Sequence, residues 1–299
     1  MYKMTGADRI RNVIRFCVNY RVINFIRDRK TFFKDLKADY DALTGKTNYK
    51  YHNILIVGMS KSGTTRIENF LHKVSGYVPR PLYGDLKIIT DQNISDDAFR
   101  YFNNKLYSYA KTHINPNENN ISIINKKNLN KIILTIRDPR DAAVSRYFRA
   151  LKVPKKKWET HSEVDYNDIS KEDGIMHSLN VIKKDYMPWI DGWLKYYNED
   201  DENRYIMMKY EDVLDDPVKK FKELSEFFEF DLATNDVKKY LDDIQSKMEN
   251  GYSLKASRGN VSTFRKGIAG DWKNHFTEKH LEFVEKELKK DLVNFGYEV

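Results

Sequence analysis

The clearest pattern of hydrophobic and polar residues along the chain lies between positions 53 and 74. Residues 54–57 are a run of four apolar side chains, which predicts a buried strand. Small and polar residues follow over positions 58–63. Apolar side chains then recur at the spacing of one helix face, at Ile67, Phe70, Leu71 and Val74. The pattern therefore predicts a strand, a short loop and a helix in direct succession.

The same alternation of strands and helices continues towards the C-terminal part of the chain. Residues 131–136 and 204–210 are two further predicted strands. Helices are predicted over residues 142–151, 187–197, 217–228 and 281–295. Helices placed between strands favour a parallel sheet with its ligands at the carboxyl ends of the strands. The sequence therefore predicts an α/β fold, a single domain with a central parallel sheet flanked by helices.

Residues 1–48 precede this alternation and predict a helical N-terminal arm, so the main domain is expected to occupy residues 49–299. Arginines lie opposite a stripe of apolar residues that recurs with a helical period, at Ile10, Val13, Ile14, Cys17, Val18 and Phe25. Such a basic amphipathic helix is also typical of segments that lie on a membrane surface. Packing against the main domain is the favoured interpretation.

Composition and charge narrow the possible partners. The chain has 299 residues, of which 40% are hydrophobic and 32% charged, with a net charge of +8. Its basic residues are dispersed and no nucleic-acid motif is present, so no nucleic-acid partner is predicted. No transmembrane segment is predicted, because no window has the apolar length of a membrane span. Cys17 is the only cysteine, which excludes an intrachain disulfide and fits the predicted cytoplasmic location.

The loop at residues 58–63 has the chemistry of an anion site. Gly58, Ser60, Ser62 and Gly63 leave room for backbone N–H groups to converge, and the following helix dipole favours negative charge. A nucleotide kinase would require a lysine directly after the second glycine, where Thr64 stands instead. Lys61 lies inside the loop. The sequence therefore favours a site for a phosphate-like group that differs from the ATP site of a nucleotide kinase. A plain Gly/Ser turn is the alternative.

Four more segments complete a recognisable set with the loop at residues 53–65. They are residues 111–113, 137–145, 210–212 and 264–277. In this order the five segments resemble the sulfotransferases that use 3′-phosphoadenosine 5′-phosphosulfate (PAPS), and in particular the cytosolic type. The resemblance implies the P-loop NTPase-like sulfotransferase fold. It also implies transfer of a sulfuryl group from PAPS to an acceptor hydroxyl, or less readily an amine.

The resemblance implies roles for individual residues in donor binding. Lys61 would reach the oxygen that bridges phosphate and sulfate, where charge develops as the S–O bond breaks. Thr64 and Thr65 would donate to the 5′-phosphate, and Ser62, Gly63 and Arg66 would also belong to the donor-binding site. The 3′-phosphate would be bound by Arg137, Ser145, Arg265, Lys266 and Gly267. The alternative for Arg137 is a surface salt bridge with Asp138 or Asp141. Tyr210 would hold the adenine edge, and no metal is required.

His113 is implied as the general base, because sulfuryl transfer to a hydroxyl requires removal of a proton. Lys111 would orient the sulfate, and a solvated lysine is the alternative. The acceptor is expected to be a small molecule or carbohydrate, bound between residues 79–110 and 150–180. Aromatic residues in or beside these stretches indicate a lined pocket, at Tyr83, Tyr101, Phe102, Tyr107 and Phe148.

Three positions depart from the family pattern. Arg66 stands where cytosolic enzymes have a tryptophan on the adenine, and a guanidinium is able to stack in its place. Residues 252–254 resemble the second adenine wall only loosely. Lys273, Thr277 and Glu282 resemble the family's dimerisation motif and imply a homodimer, although Glu278 replaces the motif's valine. An ATP-dependent small-molecule kinase and a non-catalytic nucleotide-binding protein are the alternative functions.

Overall fold

The computed structural model describes residues 29–74, 76–80, 82, 93–102, 104–129, 131–152, 164–200, 202–249 and 266–299. The predictions for residues 1–28, Tyr83, residues 252–254 and Arg265 lie outside these ranges. The boundary between arm and domain at residue 48 stays a prediction.

A five-stranded parallel sheet forms the centre of the molecule, in the order β2-β3-β1-β4-β5. The strands are β1 (Asn53–Gly58), β2 (Val78–Pro79), β3 (Ser108–Thr112), β4 (Ile132–Ile136) and β5 (Tyr205–Lys209). The prediction of an α/β fold with a parallel sheet is confirmed, and its three predicted strands correspond to β1, β4 and β5. Sequence analysis missed β3 because Ser108 and Lys111 interrupt its apolar pattern.

Helices cover both faces of this sheet. They are α1 (Arg29–Leu43), α2 (Thr64–Lys73), α3 (Glu118–Lys126), α4 (Pro139–Ala150), α5 (Lys171–Val181), α6 (Met187–Asn198), α7 (Tyr210–Asp215), α8 (Pro217–Phe227), α9 (Thr234–Glu249), α10 (Glu278–Glu287) and α11 (Lys289–Asn294). A π-helical turn, Ile182–Tyr186, joins α5 to α6, and a 3₁₀ turn, Asp271–Asn274, precedes α10.

Two of the predicted helices differ from those in the structure. Helix α4 begins three residues before the predicted position 142, because Asp138 caps it and Pro139 is favourable in the first turn. The helix predicted over residues 281–295 is two helices, which meet at Leu288. Leu288 is fully buried, so the chain turns there while keeping its apolar contacts.

The apolar run in β1 has a direct structural reason. Leu55 and Val57 face one hydrophobic core, which includes residues of α4, α5 and α6. Ile54 and Ile56 face a second core, which includes residues of α2, α8 and α9. All four side chains are fully buried, as expected for a parallel strand covered by helices on both faces.

Helix α1 is attached to the edge of the sheet near β2. Asp39 accepts a hydrogen bond of 2.6 Å from Arg80, and Arg80 Nε donates at 2.8 Å to Ser108 on β3. Lys34 Nζ also donates to the carbonyl of His72 at the end of α2. The described part of the N-terminal arm therefore packs on the domain. Within the described ranges, no helix has the length and apolarity needed to cross a bilayer.

Tyr107 does not belong with the aromatic residues expected near the acceptor. It directly precedes β3 and packs on Tyr49 and Tyr77, with His52 stacked on its ring at 4.5 Å. This position is the amino end of the parallel strands, whereas the loop at residues 58–63 follows the carboxyl end of β1. The expectation for Tyr107 was wrong because β3 was not recognised as a strand.

The two hydrophobic cores predict that truncation of a buried leucine lowers the free energy of unfolding far more than truncation of an exposed leucine. Leu224 in α8 is fully buried, whereas Leu281 in α10 is 46% exposed. We expect Leu224→Ala to lower the free energy of unfolding by about 2–5 kcal/mol, since it removes methylene groups and leaves a cavity. The matched change Leu281→Ala should stay within about 0.5 kcal/mol. Urea denaturation of both variants measures this, and equal losses would contradict the burial described for α8.

Candidate active site at the carboxyl end of β1

The loop after β1 is tightly packed against the neighbouring strand. Met59 N–H donates to the carbonyl of Thr135 on β4 at 3.0 Å. A Cβ atom at Gly58 would lie 2.1 Å from Thr64 Cγ2 and 2.3 Å from Thr135 Oγ1, so only glycine fits there. Ser62 donates its hydroxyl to the Met59 carbonyl at 2.6 Å and contacts the Thr135 hydroxyl. Ser62 therefore stabilises the loop through its side chain.

Two residues of the loop have the left-handed backbone conformation. Lys61 has φ 75° and Gly63 has φ 85°. This conformation is easy for glycine but uncommon for lysine, so the surrounding contacts must hold Lys61 in place. One of these contacts is a hydrogen bond of 3.4 Å from Arg137 to the Lys61 carbonyl. The backbone conformation of Lys61 therefore depends on contacts with neighbouring residues as well as on the local sequence.

Helix α2 begins directly after this loop, at Thr64. The first N–H groups of a helix have no partner inside the helix and carry the positive end of its dipole. Gly63 precedes them without a side-chain cap. Thr64 is buried and Thr65 is half-buried at this end. The strand, loop and helix start therefore have the arrangement in which helix N-termini bind anions, and the anion site itself stays a prediction.

Strand β3 brings Lys111 and His113 beside this loop. Lys111 pairs with Ile56 of β1 in the sheet register. Its Nζ lies 2.5 Å from Glu68 Oε2 and 3.2 Å from Thr65 Oγ1, both on α2. These contacts hold the segment of Lys111 and His113 beside the start of α2.

His113 follows β3 and is exposed at the surface of the site. Its Nδ1 hydrogen bonds to the carbonyl oxygen of Gly58. A carbonyl oxygen only accepts, so Nδ1 must carry the hydrogen in this contact. In the neutral ring Nε2 is then the basic nitrogen, which is the tautomer that a proton acceptor at Nε2 requires.

Arg137 lies at the end of β4 and joins several parts of the site. Its guanidinium donates to the Ile268 carbonyl at 3.2 Å and lies 3.5 Å from Asp141. Its Cζ lies 4.2 Å from the centre of the Tyr210 ring. Arg137 is buried, and among the described residues its Nε has no hydrogen-bond partner. Arg137 therefore forms an ion pair with Asp141, but the pair is buried and does not lie at the surface. The guanidinium keeps an N–H group that is able to donate to a ligand.

Asp141 attaches the C-terminal segment to α4. Its carboxylate accepts hydrogen bonds from the backbone N–H groups of Gly270 at 2.8 Å and Trp272 at 2.9 Å. Ser145 lies one turn further along α4, on the same face as Asp141. Arg137, Asp141 and Ser145 are therefore brought to one side of the C-terminal segment.

Lys266 and Gly267 lie on that same segment. Lys266 Nζ is 3.1 Å from the fully buried carboxylate of Asp271, and its side chain is 49% exposed. Gly267 has φ 68°, a conformation that favours glycine. The carbonyl of the next residue, Ile268, accepts from Arg137. The structure therefore brings two of the three predicted C-terminal residues towards Arg137, and the third, Arg265, lies outside the described ranges.

Tyr210 and Arg66 lie on the other side of the loop. Tyr210 was predicted to end a strand but opens α7, because β5 ends at Lys209. A Cβ at Gly63 would be 2.7 Å from the Tyr210 ring, so this glycine permits the contact. Burial raises the pKa of Tyr210 and lowers the pKa of Arg66, and each group acts electrostatically on the other.

Sequence analysis missed Glu68 as a carboxylate that organises the site, and it considered Asp141 only as a surface partner of Arg137. Glu68 follows Thr65 by three residues on the predicted helix, and this spacing placed both on one face. Asp141 follows Arg137 by four residues, which is the spacing of an ion pair on a helix. The spacing was therefore a signal for both, but Lys111, which binds Glu68, and the backbone N–H groups of Gly270 and Trp272, which bind Asp141, lie far away in the sequence.

No group of three or more His, Cys, Asp or Glu side chains suited to a metal ion occurs in the part of the chain that the structure describes. The absence of a metal from the reaction stays a prediction. The geometry defines an α/β protein with a P-loop-like loop after β1 and a cluster of basic residues, Arg137 and Lys266, beside it.

Comparison with known families agrees with this class. The family described as "Sulfotransferase domain" matches residues 52–296. The chain therefore belongs to the sulfotransferase family.

Curated relatives carry the same family name. Cytosolic sulfotransferase 1 of Danio rerio is 26% identical over 181 residues, which cover 49% of this chain and 60% of the relative. Human sulfotransferase 2A1 is 26% identical over 182 residues, covering 56% of this chain and 59% of the relative. The matched part thus spans about 60% of the length of these two relatives.

Solved structures support the fold. Mouse sulfotransferase SULT7A1, complexed with PAP, superposes with a TM-score of 0.63 at 19% identity, covering 88% of this chain and 92% of that chain. Retinol dehydratase, in complex with androsterone and the inactive cofactor PAP, has a TM-score of 0.58 at 16% identity, with 89% and 87% covered. The prediction of the P-loop-like sulfotransferase fold is confirmed.

The contacts of Asp141 generate a test of the site's architecture. We expect Asp141→Asn to lower the free energy of unfolding by about 1.5–3 kcal/mol, since hydrogen bonds to a charged acceptor are lost or weakened. The backbone amides of Gly270 and Trp272 should exchange with solvent faster. Hydrogen exchange and urea denaturation measure both effects, with Asp231→Asn at an exposed position as the control. Unchanged protection of the two amides would contradict the attachment described for Asp141.

Proposed function

We propose that this protein transfers a sulfuryl group from PAPS to an acceptor hydroxyl, or less readily an amine. The observation that carries the proposal is the contact between Arg137 and the Lys61 carbonyl, which puts a cluster of basic residues beside the loop after β1 and so supports two adjacent anion sites. PAPS has a 5′-phosphosulfate and a 3′-phosphate, so its binding requires two such sites. Membership of the sulfotransferase family supports the same reaction.

The residues present fit this donor. The N–H groups at Gly63, Thr64 and Thr65, with the Thr65 hydroxyl, suit the 5′-phosphate. Arg137 offers an unpartnered Nε–H beside the C-terminal segment, and a guanidinium matches a phosphate by two parallel hydrogen bonds. We assign the 3′-phosphate to Arg137 together with Ser145, Arg265, Lys266 and Gly267. Two of the solved neighbours carry PAP, which is adenosine 3′,5′-bisphosphate, the desulfated product of such a donor.

Tyr210 and Arg66 are proposed to bind the adenine. Both are partly buried beside Gly63, and Arg66 Nε has no hydrogen-bond partner among the described residues. An arginine plane is able to stack on a base as the family's tryptophan does, and its Nε–H can donate to a ring nitrogen.

His113 is proposed as the general base. Its Nδ1–H donates to Gly58, so Nε2 of the neutral ring accepts the proton of the acceptor hydroxyl. The acceptor oxygen forms a bond to sulfur as the bond between sulfur and the bridging oxygen breaks. The sulfuryl group is transferred, and the electron pair stays on the 5′-phosphate oxygen. The products are a sulfate ester, adenosine 3′,5′-bisphosphate and a protonated His113.

Lys61 is proposed to stabilise the oxygen that leaves. A cation fixed near this oxygen interacts more strongly with the transition state, in which charge has developed, than with the bound donor. The loop contacts at Ser62 and the Arg137 contact hold Lys61 in its left-handed conformation, which limits the reorganisation needed during the reaction.

The alternative functions fit the site less well. An ATP-dependent kinase would use a lysine at position 64, where the chain has threonine, and would not require the cluster around Arg137. A non-catalytic nucleotide-binding protein would not require His113 beside Gly58.

We further propose a small-molecule or carbohydrate acceptor and a cytoplasmic location. A homodimer through the exposed residues Lys273, Thr277 and Glu282 also remains a proposal.

The two anion sites predict which nucleotides bind. Adenosine 3′,5′-bisphosphate should bind more tightly than AMP by about 2 kcal/mol, or roughly 30-fold in Kd, because AMP makes no contact at the Arg137 cluster. Isothermal titration calorimetry with both ligands measures the difference. Equal affinities would remove the argument for a 3′-phosphate site, and binding of ATP alone would favour the kinase.

The assignment of His113 predicts a loss of turnover with little loss of binding. We expect both His113→Ala and His113→Gln to lower kcat by about 100-fold or more, because neither side chain can take a proton. The Kd for adenosine 3′,5′-bisphosphate should stay near the wild-type value. His52→Gln, at the opposite end of the sheet, is the matched control. Near-normal turnover of both His113 variants on a working acceptor would exclude His113 as the base.

A further inference from the structure

We propose that Glu68 is a positioning residue, which holds Lys111 so that Lys111 directs the Thr65 hydroxyl towards the 5′-phosphate of the donor. This inference rests on the proposed function. It replaces the expectation that Lys111 itself contacts the transferred sulfuryl group. Three side chains from two elements carry it, namely Thr65 and Glu68 of α2 and Lys111 of β3.

The geometry joins these residues into a chain of contacts. Thr65 and Glu68 are three residues apart on α2, so their side chains share a helix face. Lys111 reaches that face from β3, with Nζ 2.5 Å from Glu68 Oε2 and 3.2 Å from Thr65 Oγ1. The Lys111 and Glu68 side chains are each only 9% exposed. The ammonium group is therefore enclosed between a carboxylate and a hydroxyl.

The hydrogen-bond donors and acceptors of these side chains fix the direction of the contacts from Glu68 through Lys111 to Thr65. An ammonium group donates hydrogen bonds and cannot accept one, so Thr65 Oγ1 is the acceptor from Lys111. The hydrogen of the Thr65 hydroxyl must point elsewhere, and it has no acceptor among the described residues. Thr65 lies in the first turn of α2, where backbone N–H groups already favour an anion. A phosphate oxygen is the acceptor that completes the chain.

The charges explain why Glu68 is needed. A buried ammonium group without a counter-charge is costly, so the position of Lys111 depends on the Glu68 carboxylate. With that carboxylate present, much of the lysine charge is compensated within the protein. Lys111 is thus suited to orient a neighbouring hydroxyl and less suited to stabilise charge on a transferred group.

The proposal is tested with two nucleotides that differ only at the 5′ position, adenosine 3′,5′-bisphosphate and 3′-AMP. We expect Glu68→Gln and Lys111→Met each to weaken binding of the bisphosphate about tenfold, the loss of one hydrogen bond to a charged group. Binding of 3′-AMP should not change, because it has no 5′-phosphate. The double variant should lose no more than either single variant, since both changes break the same chain.

Thr65→Val provides a variant that leaves the buried ion pair intact. It should show the same tenfold loss for the bisphosphate and the same unchanged affinity for 3′-AMP. If a Glu68 or Lys111 variant fails to fold, the result with Thr65→Val decides the proposal. Thr44→Val, at an exposed position after α1, is the matched control and should change neither affinity.

Three outcomes would overturn the inference. Unchanged affinity of Thr65→Val and Glu68→Gln for the bisphosphate would show that the contacts from Glu68 through Lys111 to Thr65 do not act on the 5′-phosphate. Equal losses for both nucleotides would indicate a general structural defect. A fall in kcat for Lys111→Met with unchanged affinity, and no effect of Glu68→Gln, would make Lys111 a catalytic residue. Failure of the wild-type protein to bind either nucleotide would instead overturn the proposed function, and this inference with it.

Discussion

The buried guanidinium of Arg137 links parts of the chain that are far apart in sequence. It lies at the end of β4, donates to the carbonyl of Lys61 in the anion loop and to the carbonyl of Ile268 in the C-terminal segment, and packs on the Tyr210 ring. A side chain with five N–H donors in one plane can make these contacts and still offer a donor to a ligand. The position of the loop after β1 relative to the C-terminal segment therefore depends on this one residue, and through it on Asp141.

Three buried cations among the described residues are each paired with a buried carboxylate, and two of these pairs lie beside the loop after β1. Arg137 is matched by Asp141, Lys111 by Glu68, and Arg140 by Asp138. A buried ion pair is weak support for stability, because desolvation offsets much of the attraction. Its effect here is geometric, since each acidic partner fixes the direction in which a cation can act.

The parallel sheet determines where all these groups meet. The carboxyl ends of β1, β3, β4 and β5 lead to Gly58, His113, Arg137 and Tyr210 respectively. Because parallel strands end at the same edge of a sheet, four segments separated by many residues contribute to one region. The aromatic cluster around Tyr49, Tyr77 and Tyr107 occupies the opposite edge and packs the second core.

The sequence by itself determined the parts whose signals are local. The run at residues 54–57, the small residues after it and the helical period beyond were sufficient to predict strand, loop and helix, because each depends on neighbouring residues. The family motifs likewise identified the residues that now lie around the loop. Strand β3 was not predictable in this way, since its five residues are stabilised by pairing with β1 and β2 rather than by their own pattern.

Only the tertiary structure decided which charges are paired and where each hydrogen bond points. Glu68 is an ordinary acidic helix residue in the sequence, and its partner Lys111 is 43 positions away. Asp141 binds backbone N–H groups that lie 129 and 131 positions away. Such contacts form when distant segments pack together, and their strength depends on burial, which the sequence of either segment does not contain. The sequence therefore determined the chemistry available to the site, and the packing of the sheet decided how that chemistry is arranged.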